Sequence, residues 1–300
     1  MVKFALIRQR DPGLCMLLVA AFLLGACTPA GDEAPEARAP APVADTPVGE
    51  RANEPAEAPA AEPSARAVVS DRLPYAEVGN ELVYGHFVFP SDMVEPLPAV
   101  ILIHEWWGLT DEVRAAADRL AGQGYIVLAV DLMDGETTDD VAAARSLMLK
   151  VVNDPGATAE NLRQALEFVT ATAGAPTVAT LGWGLGGSWS LNAAMLFPDE
   201  LQAAVIFYGQ VSDEPSRLDA IKAPVLGFFG AADRTVPASD VEAFELMMQD
   251  LGKTLDVTVL PGTGHGFANP EGRNYDADLA ERSWQETLVF LEATLYSDAP

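Results

Sequence analysis

The stretch Thr177–Met195, TVATLGWGLGGSWSLNAAM, limits what this chain can fold into more than any other. Thr177 to Leu181 is a β-branched, apolar run that reads as a buried strand. Gly182, Gly184, Gly186 and Gly187 follow at once. An Ala- and Leu-rich helical pattern then runs to Phe197 and stops at Pro198. Strand, sharp glycine turn and helix serve two chemistries. One is the nucleophile elbow, small-x-nucleophile-x-Gly. The other is the dinucleotide cradle G-x-G-x-x-G, here Gly182, Gly184 and Gly187. The apex residue is Gly184, which has no side chain.

The 300 residues carry 44 Asp and Glu against 18 Lys and Arg, a formal charge of −26. Phosphate backbones are repelled by such a chain, which argues against nucleic acid as a partner. Cys15 and Cys27 are the only cysteines. A disulfide framework, a zinc cluster or a thiol nucleophile is therefore excluded from any domain downstream of them. The three histidines, His86, His104 and His265, are not spaced like metal ligands. No metal and no cofactor is expected.

Residues 1–27 read as an export signal. Lys3, Arg8 and Arg10 precede a short apolar core, Leu14 to Leu24. It ends Leu24-Gly25-Ala26-Cys27, which resembles the lipobox of bacterial lipoproteins. The resemblance implies cleavage before Cys27, lipidation of Cys27 and a membrane held through that lipid. Thr28, rather than Asp, points to the outer membrane of a bacterial cell envelope, facing the periplasm. An ordinary cleaved signal or an uncleaved anchor remains the alternative. Residues 28–70 are rich in Ala, Pro and Glu, without apolar periodicity, and read as a disordered linker.

The folded domain is expected over 71–300. Glu81–Phe89 alternates like an edge strand. Ala99–Ile103, Tyr125–Val130, Leu201–Phe207, Pro224–Phe229 and Leu255–Leu260 read as further strands. Helical patterns cover Asp111–Ala121 (with Asp111 as N-cap), Val141–Val152, Ala159–Ala171, Ser239–Leu251 and Asp278–Leu295. Strands and helices alternate, and most strands are apolar on both faces. That predicts an α/β fold, a mainly parallel central sheet with helices on both faces.

Sites in such sheets form at the carboxyl ends of the strands. Four ends carry suggestive residues: His104-Glu105-Trp106-Trp107-Gly108, the turn at Gly184, Gly230 to Pro237 with Asp233, and Gly264-His265-Gly266-Phe267. Elbow, acid and histidine follow in the order of α/β-hydrolases. Residues Leu73 to Leu295 resemble the dienelactone hydrolase family of that fold. His-Glu-x-x-Gly, G-x-x-D-x-x-V-P, Gly-His-x-Phe, Phe207-Tyr208-Gly209 and a closing helix with Trp284 and Phe290 carry the resemblance. It implies a carboxylic-ester or lactone hydrolase acting on a small molecule. Asp233 would orient His265, His265 would be the general base and then acid, and Glu105 would sit beside the nucleophile. The N–H groups of Leu185 and Trp106 would form the oxyanion hole. Tyr208, Trp107 and Asn269 would line the substrate cleft. The family nucleophile, a cysteine or occasionally a serine, falls on Gly184, which removes the attacking atom. Asn269 stands where some family members hold a substrate carboxylate with arginine.

Each residue also has a plainer reading. Asp233 alone is a turn residue or helix cap, and His265 alone is a loop histidine between glycines. Glu105 alone is a solvated loop carboxylate, and Tyr208 a buried tyrosine with a satisfied hydroxyl. Trp106 and Trp107 pack at a cleft rim as readily as they touch a ligand. His104 packs under its loop, and Ser188 and Ser190 face helix packing rather than the cleft. The dinucleotide reading lacks its acidic residue at the end of the next strand, which is Phe207-Tyr208-Gly209. Two functions stay open: a disarmed or water-using hydrolase, and a non-catalytic pseudo-hydrolase that binds a small ligand or an envelope partner. The sequence leaves the oligomeric state unknown.

Overall fold

A computed structural model describes residues 65–212 and 214–296. Cys27, the signal segment 1–27 and residues 28–64 lie outside the described residues. The strands are β1 (Val68–Val78), β2 (Glu81–Pro90), β3 (Ala99–Ile103), β4 (Ile126–Val130), β5 (Val178–Trp183), β6 (Ala203–Phe207), β7 (Val225–Gly230) and β8 (Leu255–Leu260). The helices are α1 (Asp111–Gly122), α2 (Val141–Asn153), α3 (Pro155–Glu167), α4 (Leu185–Leu196), α5 (Pro215–Leu218), α6 (Ala238–Asp250) and α7 (Ala277–Leu295).

The strands form one sheet in the order β1-β2-β4-β3-β5-β6-β7-β8. β4 through β8 run parallel with β3, while β2 is antiparallel to both of its neighbours. Every residue of β3, β4 and β6 is buried. Their unbroken apolar runs follow from helices covering both faces. Val100 and Leu102 pack with Ala117, Leu120, Trp284 and Leu291 of α1 and α7. Ile101 and Ile103 pack on the other face with Leu147, Leu162 and Trp189 of α2, α3 and α4. Burying such a Val, Leu or Ile side chain contributes about 1.5–3 kcal/mol. Ala204, Ile206 and Val225 form a third cluster with Phe244 and Met248 of α6.

The structure moves several boundaries. The folded part begins before Asp71. Val68, Val69 and Ser70 already pair with Pro90, Phe89 and Val88, so the expected linker 28–70 overruns β1. The sequence hides this start because Val69 and Ser70 are exposed and lack the alternation of a half-buried strand. β2 is not an edge strand, since β1 covers one side and β4 the other. The N-cap of α1 is Thr110; Asp111 is in the first turn and pairs with Arg114 at 2.7 Å. α3 starts four residues before its expected onset, at Pro155, because Asp154 accepts from the Ala157 N–H at 3.0 Å and proline suits the first helical position. It ends in a π-helical turn, Phe168–Thr172.

Consecutive connections leave β3 for β4 on one side and reach β5 on the other. The strand order therefore reverses between β3 and β5, and a crevice opens beyond their carboxyl ends. Glu105 follows β3 and Gly184 follows β5 at this point.

Candidate active site

The apex of the turn after β5 is Gly184, at φ +52° and ψ −111°. That backbone is costly for a residue with a Cβ, about 1–3 kcal/mol, and open to glycine. Its N–H donates to the Phe207 carbonyl at 2.9 Å, and its carbonyl accepts from the Ser188 N–H at 3.0 Å. Space is not the obstacle to a side chain here. A Cβ at Gly184 would lie 3.7 Å from His265 Nε2 and 3.9 Å from both Glu105 Cγ and Tyr208 Cε2. A hydroxyl or thiol one bond further out falls within reach of His265.

His265 is brought in by the loop after β8. Its Nδ1 and Asp233 Oδ2 are 2.8 Å apart. The Asp233 side chain is fully buried, and its other oxygen accepts from the N–H groups of Thr235 and Val236 at 2.7 and 3.1 Å. Burial raises the Asp233 pKa, but the hydrogen bonds from His265, Val236 and Thr235 outweigh it and hold the carboxyl below its usual value. An ionised Asp233 fixes the proton on Nδ1 and leaves Nε2 facing Gly184. Asn274 Nδ2 donates to the His265 carbonyl at 2.8 Å and pins the loop backbone. Nothing in the sequence pattern pointed to Asn274.

Glu105 stands on the opposite side of the apex. Tyr208 Oη donates to Glu105 Oε1 at 2.8 Å, and Asn269 Nδ2 donates to Oε2 at 3.2 Å. Burial pushes the Glu105 pKa up, against the lowering effect of Tyr208, Asn269, His265 and Trp107. Burial and the neighbouring Glu105 charge raise the Tyr208 hydroxyl well above its ordinary value. Tyr208 has φ +41°, unusual for a non-glycine, with its N–H donating to the Phe228 carbonyl at 2.8 Å. That kink turns its ring off the end of β6 to within 5.1 Å of the His265 ring. Asn269 was expected to line the cleft; its amide is engaged by Glu105.

His104 is fully buried beneath the same loop. The Leu132 N–H donates to its Nε2 at 3.0 Å, so the ring proton sits on Nδ1, 2.6 Å from the Glu105 carbonyl it meets. Burial lowers the His104 pKa, which keeps the ring neutral. It props the Glu105 backbone and takes no part in the crevice. Ser188 is also occupied: its Oγ bonds the Gly184 carbonyl at 3.2 Å and accepts from the Gln210 N–H at 2.8 Å. Ser190 is buried against Thr180 at 2.9 Å. Leu185 opens α4, so its N–H lacks a partner within the helix. Trp106 lies in the loop after β3, its ring 4.9 Å from that of Trp107.

Asp233, His265, Gly184, Glu105, Tyr208 and Asn269 thus form one continuous set. Among the described residues no group of His, Cys, Asp and Glu is arranged to hold a metal ion.

Residues 84–295 match the dienelactone hydrolase family. The chain belongs to that family. It is 27% identical over 233 residues to a protein of Saccharolobus solfataricus named "Putative carboxymethylenebutenolidase", covering 65% of this chain and 89% of the relative. It is 28% identical over 205 residues to protein usf of Aquifex pyrophilus, covering 66% of this chain and 89% of that one. Among solved structures, a dienelactone hydrolase-like promiscuous phosphotriesterase from metagenomic libraries superposes with a TM-score of 0.70 at 26% identity, over 76% of this chain and 99% of that one.

Proposed function

We propose that this dienelactone hydrolase family member is an ester- and lactone-directed protein that holds a working acid–base pair around an empty nucleophile position. His265 is the general base, Asp233 orients it, and Glu105 flanks the position of attack. The N–H groups of Leu185 and Trp106 receive the developing oxyanion, and Trp107 borders the bound ligand. With glycine at residue 184 no acyl-enzyme forms. Turnover in the native chain is confined to water activated by His265 and is slow. The observation that carries this reading is the 3.7 Å between His265 Nε2 and the Cβ position of Gly184. It is a distance suited to activating a hydroxyl or thiol that this chain lacks.

The test is a panel of activated esters and lactones offered to the native chain and to Gly184→Cys. The variant is expected to gain about a hundredfold or more in kcat/KM, with a burst and an acyl-cysteine adduct visible by mass spectrometry. No gain on any member of the panel overturns the reading of the cleft as disarmed. A second reading, a binding module without chemistry, is favoured by the closure of both Glu105 oxygens by Tyr208 and Asn269. It is the outcome in which the native chain binds esters and neither form turns them over.

We also propose that the chain is exported and held in a bacterial envelope, at the outer membrane, through lipid on Cys27. The supporting features are the positive segment, the short apolar core and the Leu24-Gly25-Ala26-Cys27 sequence.

A further inference from the structure

A cavity of about 590 Å³ opens between α1, α7 and the loop after His265, and it meets the candidate active site at Glu105 and Tyr208. Its walls are aromatic: Trp107, Trp183, Phe207, Tyr208, Tyr275 and Trp284 all border it. Its charged residues are almost all of one sign. Glu112, Asp139, Glu271 and Glu281 line it together with Glu105, and Arg119 is the one cation among its described lining residues. Arg119 is already committed. It bonds Glu281 at 2.7 Å and lies 4.7 Å from the centre of the Trp284 ring.

Such a cavity discriminates by charge. A carboxylate entering it leaves water and meets aromatic side chains and like charges, and Arg119, already paired with Glu281, offsets little of that penalty. A cationic amine meets an aromatic lining, which attracts cations where a ring face is reached, and the field of the acidic rim, which low-dielectric walls focus. We infer that this cavity is the subsite for the body of the ligand, and that it takes an apolar group bearing a positively charged amine and rejects one bearing a carboxylate. The inference rests on the reading of the cleft as ester-directed, and it assigns the class of ester.

The probes are three acetate esters of matched shape: acetylcholine, 3,3-dimethylbutyl acetate as the neutral analogue, and the acetate of an alcohol with a carboxylate in place of the ammonium. Binding to the full-length chain in detergent is read from tryptophan fluorescence and calorimetry, at low and at raised salt. The cationic ester is expected to bind about tenfold or more tighter than the anionic one, with the neutral ester between and the gap narrowing as salt is added. A smaller ratio, or one in the opposite direction, overturns the inference. The double variant Glu112→Lys/Glu271→Lys changes two exposed side chains outside the acid–base set. It is expected to shrink or reverse the preference; an unchanged preference also overturns the inference. The same esters given to Gly184→Cys separate the two readings. Binding in the expected order without turnover in the variant removes the hydrolase reading alone. Turnover without a charge preference removes the subsite alone.

Discussion

At the scale of single residues, Glu105 holds its charge against the pull of its surroundings. Glu105 is half-buried beside Tyr208 and Asn269, and the loss of water around its carboxylate raises its pKa in spite of those donors. An acid whose folded pKa is raised holds more protons folded than unfolded. Stability is therefore greatest below its unfolded pKa, about 4.3, and falls as pH rises from there through the folded value. Glu105→Gln removes that loss. The melting temperature of the variant minus that of the native chain should increase from pH 4 towards pH 8. In a domain of this size each kcal/mol corresponds to about 2–4 °C. A difference that stays flat across that range would mean the carboxylate is not strained by burial. That Gly184, Asp233, His265 and Glu105 meet in one crevice is legible in the sequence, because each sits in a short motif at a strand end. The bonds that tie Tyr208 and Asn269 to Glu105 were not legible. They span 103 and 164 positions, and no local pattern encodes such a pairing.

At the scale of elements, the crevice depends on how closely β3, α4 and the end of β6 approach. A Cβ on Gly186 would fall on the Ile103 carbonyl, and one on Gly187 would come to 2.8 Å of the Phe207 carbonyl. The start of α4 thus lies directly on the backbone of the strand that presents Glu105, which is how an apex on β5 and a carboxylate on β3 become neighbours. Backbone cannot yield as a flexible side chain does. Gly186→Ala should cost about 3 kcal/mol, read as a lower urea midpoint, and should weaken any activity gained by Gly184→Cys. Gly156→Ala is the control: it lies in the first turn of α3 with its nearest neighbour at 3.7 Å, and should be neutral or slightly stabilising. Equal effects of the two would show that the elbow contact is not tight. The same elements explain what the sequence could reveal. Buried parallel strands announce themselves as unbroken apolar runs, so β3, β4 and β7 are placed to within a residue. β1 did not announce itself, because its first residues earn their place through pairing with β2 and not through burial.

At the scale of the whole molecule, the charge of −26 and the proposed anchor act in opposite directions. Envelope surfaces rich in anionic lipid repel so acidic a chain, and only a polybasic surface would gain from their potential. No helix among the described residues is long and apolar enough to cross a membrane. On the proposal of a lipid anchor, acyl chains on Cys27 would contribute about 0.8 kcal/mol per buried CH₂, with more than one chain needed for stable anchoring. This makes the anchor testable without interference from surface binding. The native chain should partition into the detergent phase, survive a high-salt wash of membranes and incorporate a labelled fatty acid. Cys27→Ala should lose the label. If the segment is a lipoprotein signal, the variant should also cease to be cleaved before residue 27 and keep its apolar core as a larger species. A variant of native size, unlabelled and still bound to membranes, would show that something other than lipid holds the protein. A variant cleaved and released into the aqueous phase would show that Cys27 supplies the anchor while an ordinary signal cleavage remains possible without it.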